Sequence, residues 1–128
     1  MSYGYTKKSA LNFDSTVEKI TEELSTEGFG VLTTINVKDT LKKKLNVDFD
    51  NYIILGACNP PFAYTALKAE HEIGLLLPCN VIVYEKHDEV FVSSILPTAA
   101  MAMVESEDLQ NIAQEIEEKL KKVISNIH

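Results

Sequence analysis

The chain reads as an α+β domain: a single mixed β-sheet packed against helices in the order β-α-β-α-β-α-β-β-α, closing on a long amphipathic C-terminal helix. Three observations carry that expectation. Short apolar runs alternate with segments of helical periodicity along residues 2–79. Residues 80–85 and 90–94 flank Lys86-His87-Asp88-Glu89 as two halves of a hairpin. From Leu109 to Ile127 the apolar residues form one unbroken helical stripe.

Residues 2–11 alternate loosely and are expected to form the first strand. Ser15-Thr16-Val17-Glu18, with Asp14 beside it, fits a capping box for a helix whose apolar positions are Val17, Ile20 and Leu24 and whose stop is Gly28. Residues 29–35 follow as a second strand. Val37, Leu41 and Leu45 are four apart and define a short helix, with Lys42, Lys43 and Lys44 in the last turn, where cations suit the carbonyl end of the dipole. The segment from Tyr52 to Cys58 is continuously apolar and reads as a central strand covered on both faces. Asn59 suits an N-cap and Pro60 the first helical position of a helix running through Phe62, Ala63, Ala66 and Leu67 to about His71. Residues 75–78 are either a buried connection or a short strand, and residues 97–104 either helical or extended. The final stripe comprises Leu109, Ile112, Ala113, Ile116, Leu120, Val123, Ile124 and Ile127. Glu105, Glu107 and Asp108 precede it and Lys119, Lys121 and Lys122 lie near its end, both favourable for the helix dipole. It suits the protein's own core, with a partner helix as the alternative. With no linker, repeat or low-complexity tract, residues 1–128 are expected to form one domain.

Composition narrows the function. The 128 residues are 45% apolar and carry a net charge of −7, and all 12 basic residues are lysine. That balance opposes counterion displacement from phosphates, and without arginine the commonest bidentate guanine contact is missing, so no nucleic-acid partner is expected. No apolar run approaches the ~18–20 residues that span a bilayer, and no apolar core follows the opening residues as in a secretory signal. A cytoplasmic protein with no membrane partner follows, and its two cysteines are expected to be reduced thiols rather than a disulfide framework.

Cys58 is the most informative residue. It ends the expected central strand and stands directly before the helix opened by Asn59-Pro60-Pro61. Free amides at a helix N-terminus stabilise nearby anions and thiolates, and crevices collect at the ends of central strands in α/β sheets. The alternative is a small buried hydrophobe, which free cysteine often is. Cys79 repeats the pattern in Pro78-Cys79-Asn80. If the strands carrying the two cysteines are parallel neighbours, the thiols stand about 20 Å apart, the length of a seven-residue strand. If residues 74–77 carry the chain back across the sheet, the thiols share one end. For metal, Cys58, Cys79, His71, His87, His128, Glu70 and Glu72 offer no paired ligand spacing, so no metal site is expected. Phosphate loops and a nucleophile elbow are absent, and His71 lies a full helix away from Cys58.

Ala57-Cys58-Asn59-Pro60-Pro61, followed by Ala63, Ala66-Leu67 and the run from Ile73-Gly74-Leu75-Leu76-Leu77-Pro78-Cys79-Asn80 through Val81-Ile82-Val83-Tyr84-Glu85, closely resembles the DUF302 family. Its specific core covers residues 52–96, and the approximate domain covers nearly the whole chain. The resemblance implies a compact α+β domain and a homodimer. It carries no catalytic assignment and names no cofactor.

Two functions from different classes are therefore expected. One is a small-molecule or anion-binding module with its pocket at the strand-to-helix turn 58–61, formed by Cys58, Asn59, Pro60, Cys79 and Asn80. The other is a thiol-dependent enzyme or redox sensor using Cys58, with Cys79 as resolving thiol.

Overall fold

A computed structural model describes residues 2–128. Five strands, β1 (Gly4–Ser9), β2 (Gly30–Asn36), β3 (Tyr52–Cys58), β4 (Cys79–Lys86) and β5 (Glu89–Ile95), form one sheet in the order β1-β5-β4-β3-β2. The helices are α1 (Phe13–Thr26), α2 (Val37–Leu45), α3 (Pro60–Ala69), the short α4 (Pro97–Ala100) and α5 (Glu107–Ser125), with a 3₁₀ turn at His71–Leu76. The α+β class and the element order hold. The sheet expected to be mixed is antiparallel at every strand pair. The reason lies in the connections: α2 and α3 return the chain to the end it left, while α1 crosses from one edge strand to the other.

Local chemistry sets the boundaries. The cap of α1 is Asn12, three residues before the expected box, and its Oδ1 accepts the Ser15 N–H at 2.8 Å. Helix α1 therefore starts at Phe13, a buried ring, and Thr16 is consumed inside it through hydrogen bonds to the Asn12 carbonyl and Ser9 hydroxyl. Asn36 and Ser106 cap α2 and α5 in the same way. The β4–β5 hairpin turns on His87 and Asp88, both at positive φ, as a two-residue turn matched to strand twist requires. Residues 75–78 form no strand: Leu75 and Leu76 finish the 3₁₀ turn, and Leu75 is 84% exposed rather than buried. Residues 97–104 begin as α4 and continue as turns, burying Met101.

The core sits on one side of the sheet. Strand alternation sends Leu55, Ala57, Cys79, Val81, Val83, Val90 and Val92 to that side. There they meet Ile20 and Leu24 of α1 and Ile116, Leu120, Val123 and Ile124 of α5, with Ile127 just beyond it. The C-terminal stripe thus packs largely within the chain's own core. Each of these large side chains contributes roughly 1.5–3 kcal/mol through burial. A smaller cluster of Ala66, Ile73, Met101, Leu109 and Ala113 joins α3 to α5.

The core helices cover β3 on one face, and the residues of its other face are incompletely buried although its sequence is apolar throughout. Tyr52 and Ile54 face away from the core layer and are half-buried. Gly56 is on that outer face too. A Cβ there would collide with the Thr33 hydroxyl and stand 2.8 Å from Pro78 Cγ. Gly56→Ala is accordingly expected to lower unfolding free energy by about 1–3 kcal/mol, the usual cost of overpacking, as read by urea denaturation. An unchanged midpoint would show that Thr33 and Pro78 yield freely.

Candidate functional site

The register of β3 against β4 decides where the thiols lie. Ala57 pairs with Cys79, so the end of one strand meets the beginning of the next. Of the two arrangements left open by the sequence, the chain adopts the one in which both cysteines share an end. Cys58 is half-buried, Cys79 is buried, and both are free thiols. They lie in adjacent positions on paired strands, and both line the same hollow.

That hollow has a volume of about 310 Å³ and lies between the strand ends, α3 and α5. Its strand wall holds Ala57, Cys58 and Cys79, with Phe29 just before β2 beside them. Its α3 wall holds Phe62, Ala63 and Ala66, and its α5 wall Ile112, Ala113 and Ile116. Gly74, Leu77, Pro78, Pro97 and Met101 add to it. Leu32 and Leu67, also on its lining, are exposed and mark its rim. Among the described residues, the only conventional polar side chain on the wall is that of Asn59, and no lysine, histidine or carboxylate joins it.

Three of the five expected site residues therefore come together: Cys58, Asn59 and Cys79 line the hollow. Pro60 and Asn80 do not. Pro60 is exposed at the start of α3. Asn80 pairs with Gly56 and projects from the opposite face of the sheet to Cys79, as neighbours along a strand must.

Asn59 occupies the cap position of α3 without capping it. Its Nδ2 instead donates to the Glu27 carbonyl at 3.1 Å, tying the α3 start to the end of α1. Gly28, at φ +85°, passes close beneath: a Cβ there would stand 3.2 Å from Asn59 Nδ2. The Glu27 carboxylate reaches α5 through Lys122 at 3.3 Å. Proline at both of the first two positions of α3 removes two N–H donors from the turn that was expected to attract an anion. The site is consequently poor in the groups that hold negative charge.

Burial pushes the Cys79 thiol up from about 9 to about 11, with the neighbouring Cys58 adding to the rise. Cys79 is a thiol, not a thiolate, at neutral pH. Among the described residues, no three His, Cys, Asp or Glu side chains gather as a metal site. Among the described residues, no helix is long and apolar enough to cross a membrane.

Sequence reading missed the helical half of the wall. Its signal was the small residues Ala63 and Ala66, one turn apart on α3, and Ala113 on α5. Small side chains on two helices flanking a strand end leave space between them.

Fold and site together define a small α+β domain with one antiparallel sheet, one helix layer and an apolar hollow where they meet. The chain belongs to the DUF302 family, whose model, described as a domain of unknown function, matches residues 5–127. The crystal structure of an uncharacterized conserved DUF302 protein from Bacillus stearothermophilus is similar, with a TM-score of 0.94, 30% identity and full coverage of both chains. No curated protein matches the chain.

The elevated Cys79 value has a thermodynamic consequence. Unfolding returns the thiol to water, so between about pH 9 and 11 the unfolded chain loses a proton that the folded chain keeps. Stability from this group is complete below pH 9 and is lost as pH rises through 11, by roughly 2–3 kcal/mol in all. Cys79→Ala is expected to flatten the decline in urea-unfolding free energy over that interval relative to wild type. Parallel profiles would show that the thiol ionises without hindrance.

Proposed function

We propose that this chain is a small-molecule-binding module whose ligand is compact, neutral and largely apolar. The observation that carries the reading is the hollow of about 310 Å³ beside Cys58, Asn59 and Cys79. Its volume lies at the small end of ligand pockets, and its apolar wall with one amide is the usual make-up of such pockets. Leaving this wall unfilled sacrifices packing that larger side chains at Ala63, Ala66 or Ala113 would recover. The anion alternative loses support because α3 opens with two prolines and no cation lines the wall.

Thiol chemistry has one observation in its favour, that both sulfurs line one hollow. It has one against it: a resolving thiol attacks as thiolate, and Cys79 is held protonated up to about pH 11. Binding is therefore the better-supported reading.

Titration with the neutral fluorescent probe N-phenyl-1-naphthylamine tests it. Saturable binding at one site per chain is expected. Ala63→Leu, which fills the hollow, should weaken it by at least about tenfold, equivalent to ~1.4 kcal/mol, while thermal unfolding stays cooperative. Cys58→Ser should retain most of the affinity. Failure to saturate, or binding indifferent to Ala63→Leu, would overturn the proposal.

A further inference from the structure

We infer that Asn59 Oδ1 selects the ligand of the hollow by accepting a hydrogen bond from a hydroxyl or N–H group on an otherwise apolar molecule. The inference rests on the binding reading above and names the chemistry that this site chooses.

The run Asn59-Pro60-Pro61 is what frees the oxygen. An asparagine at a cap position ordinarily spends its Oδ1 on the N–H of the second or third helical residue. The second residue of α3 is Pro61, which has no N–H. Phe62, the third, has one, yet the Asn59 side chain makes no cap hydrogen bond. The amide is turned the other way, with Nδ2 donating to the Glu27 carbonyl at 3.1 Å. A carbonyl oxygen only accepts, so the nitrogen has to face Glu27 and the orientation of the amide is fixed. Gly28 crowds the same nitrogen: a Cβ there would stand 3.2 Å from Nδ2 but 4.0 Å from Oδ1. The end of α1 thus grips the nitrogen and leaves the oxygen.

Asn59 is 8% exposed and lines the hollow. Among the described residues, the bond to Glu27 is the only one its side chain makes. No side-chain nitrogen or oxygen that is sealed from solvent lacks a partner among those residues. Oδ1, having none, is therefore not walled in, although the residue around it is packed. The other heteroatoms on the wall's side chains are the thiols of Cys58 and Cys79, which hydrogen-bond weakly. One strong side-chain acceptor in an apolar wall reads one donor on its ligand. A ligand without a donor strips Oδ1 of water and gives nothing back, which carries the desolvation cost of an unpaired polar group. A pocket built around such a group discriminates against analogues that lack its partner.

Size sets the body that carries the donor. A cavity of about 150 Å³ holds benzene, and the hollow has about 310 Å³. Neutral phenols, alcohols and N–H heterocycles of one or two rings are the class that fits.

Competition against bound N-phenyl-1-naphthylamine tests the assignment. Indole and indene are matched bicycles that differ at the N–H, and p-cresol and p-xylene make the same comparison for a hydroxyl. Transfer from water alone favours indene and p-xylene, which have no polar group to desolvate. Indole and p-cresol should nonetheless compete about three- to tenfold better than their partners, the span of one net hydrogen bond. A preference in either pair supports the assignment, and Asn59→Leu, similar in size, should erase or reverse it. Saturable probe binding with no such preference in either pair overturns the assignment and leaves the binding reading standing. So does a preference that survives Asn59→Leu, because the acceptor then lies elsewhere. A probe that fails to saturate overturns both. Should Asn59→Leu unfold for want of the Glu27 tie, the two pairs on wild type decide alone.

Discussion

Antiparallel pairing of β3 with β4 is the contact from which the other relationships descend. It sets Ala57 opposite Cys79 and so brings to one place two thiols that are twenty-one positions apart in the chain. The same register aligns Tyr52 with Tyr84, and through β5 with Phe91, on the outer face. It also points Leu55, Ala57, Val81 and Val83 together into the core. A slip of one residue would exchange the two faces, setting tyrosines beneath the helices and valines in water. The α3 helix and the 3₁₀ turn after it make the pairing possible by returning the chain to the end where β3 finished.

The elements most readable in the sequence were those whose period was enforced by burial. The stripe from Leu109 to Ile127 marked α5 because nearly every apolar position on it is sealed against the sheet or α3. The hairpin around His87-Asp88 was visible because two apolar runs flank a short polar turn. The cap of α1 was less legible: Asn12 and Ser15 are both good caps, and the choice depends on Phe13 finding a place in the core. Strand direction could not be read, because the span between Cys58 and Cys79 suits either a crossover or a return.

The candidate site was half legible for a similar reason. Cys58, Asn59 and Cys79 stand out as chemistry-bearing residues at strand ends, and all three line the hollow. The helical wall is made of alanine, isoleucine and phenylalanine, which announce packing rather than a site. Asn80 was drawn in by proximity to Cys79 in sequence, whereas alternation puts it on the other side of the sheet. Asn59 suited a helix cap by type, but the Glu27 carbonyl lies within reach and takes its amide instead.

Glu27 works as a rivet joining three helices. Its own backbone closes α1, its carbonyl holds the first turn of α3 by way of Asn59, and its carboxylate clasps α5 through Lys122. Prising α3 from α5 at the Cys58 end would stretch this fastening. The hollow is therefore anchored beside Asn59, while Leu32 and Leu67, also on its lining, stand exposed to solvent.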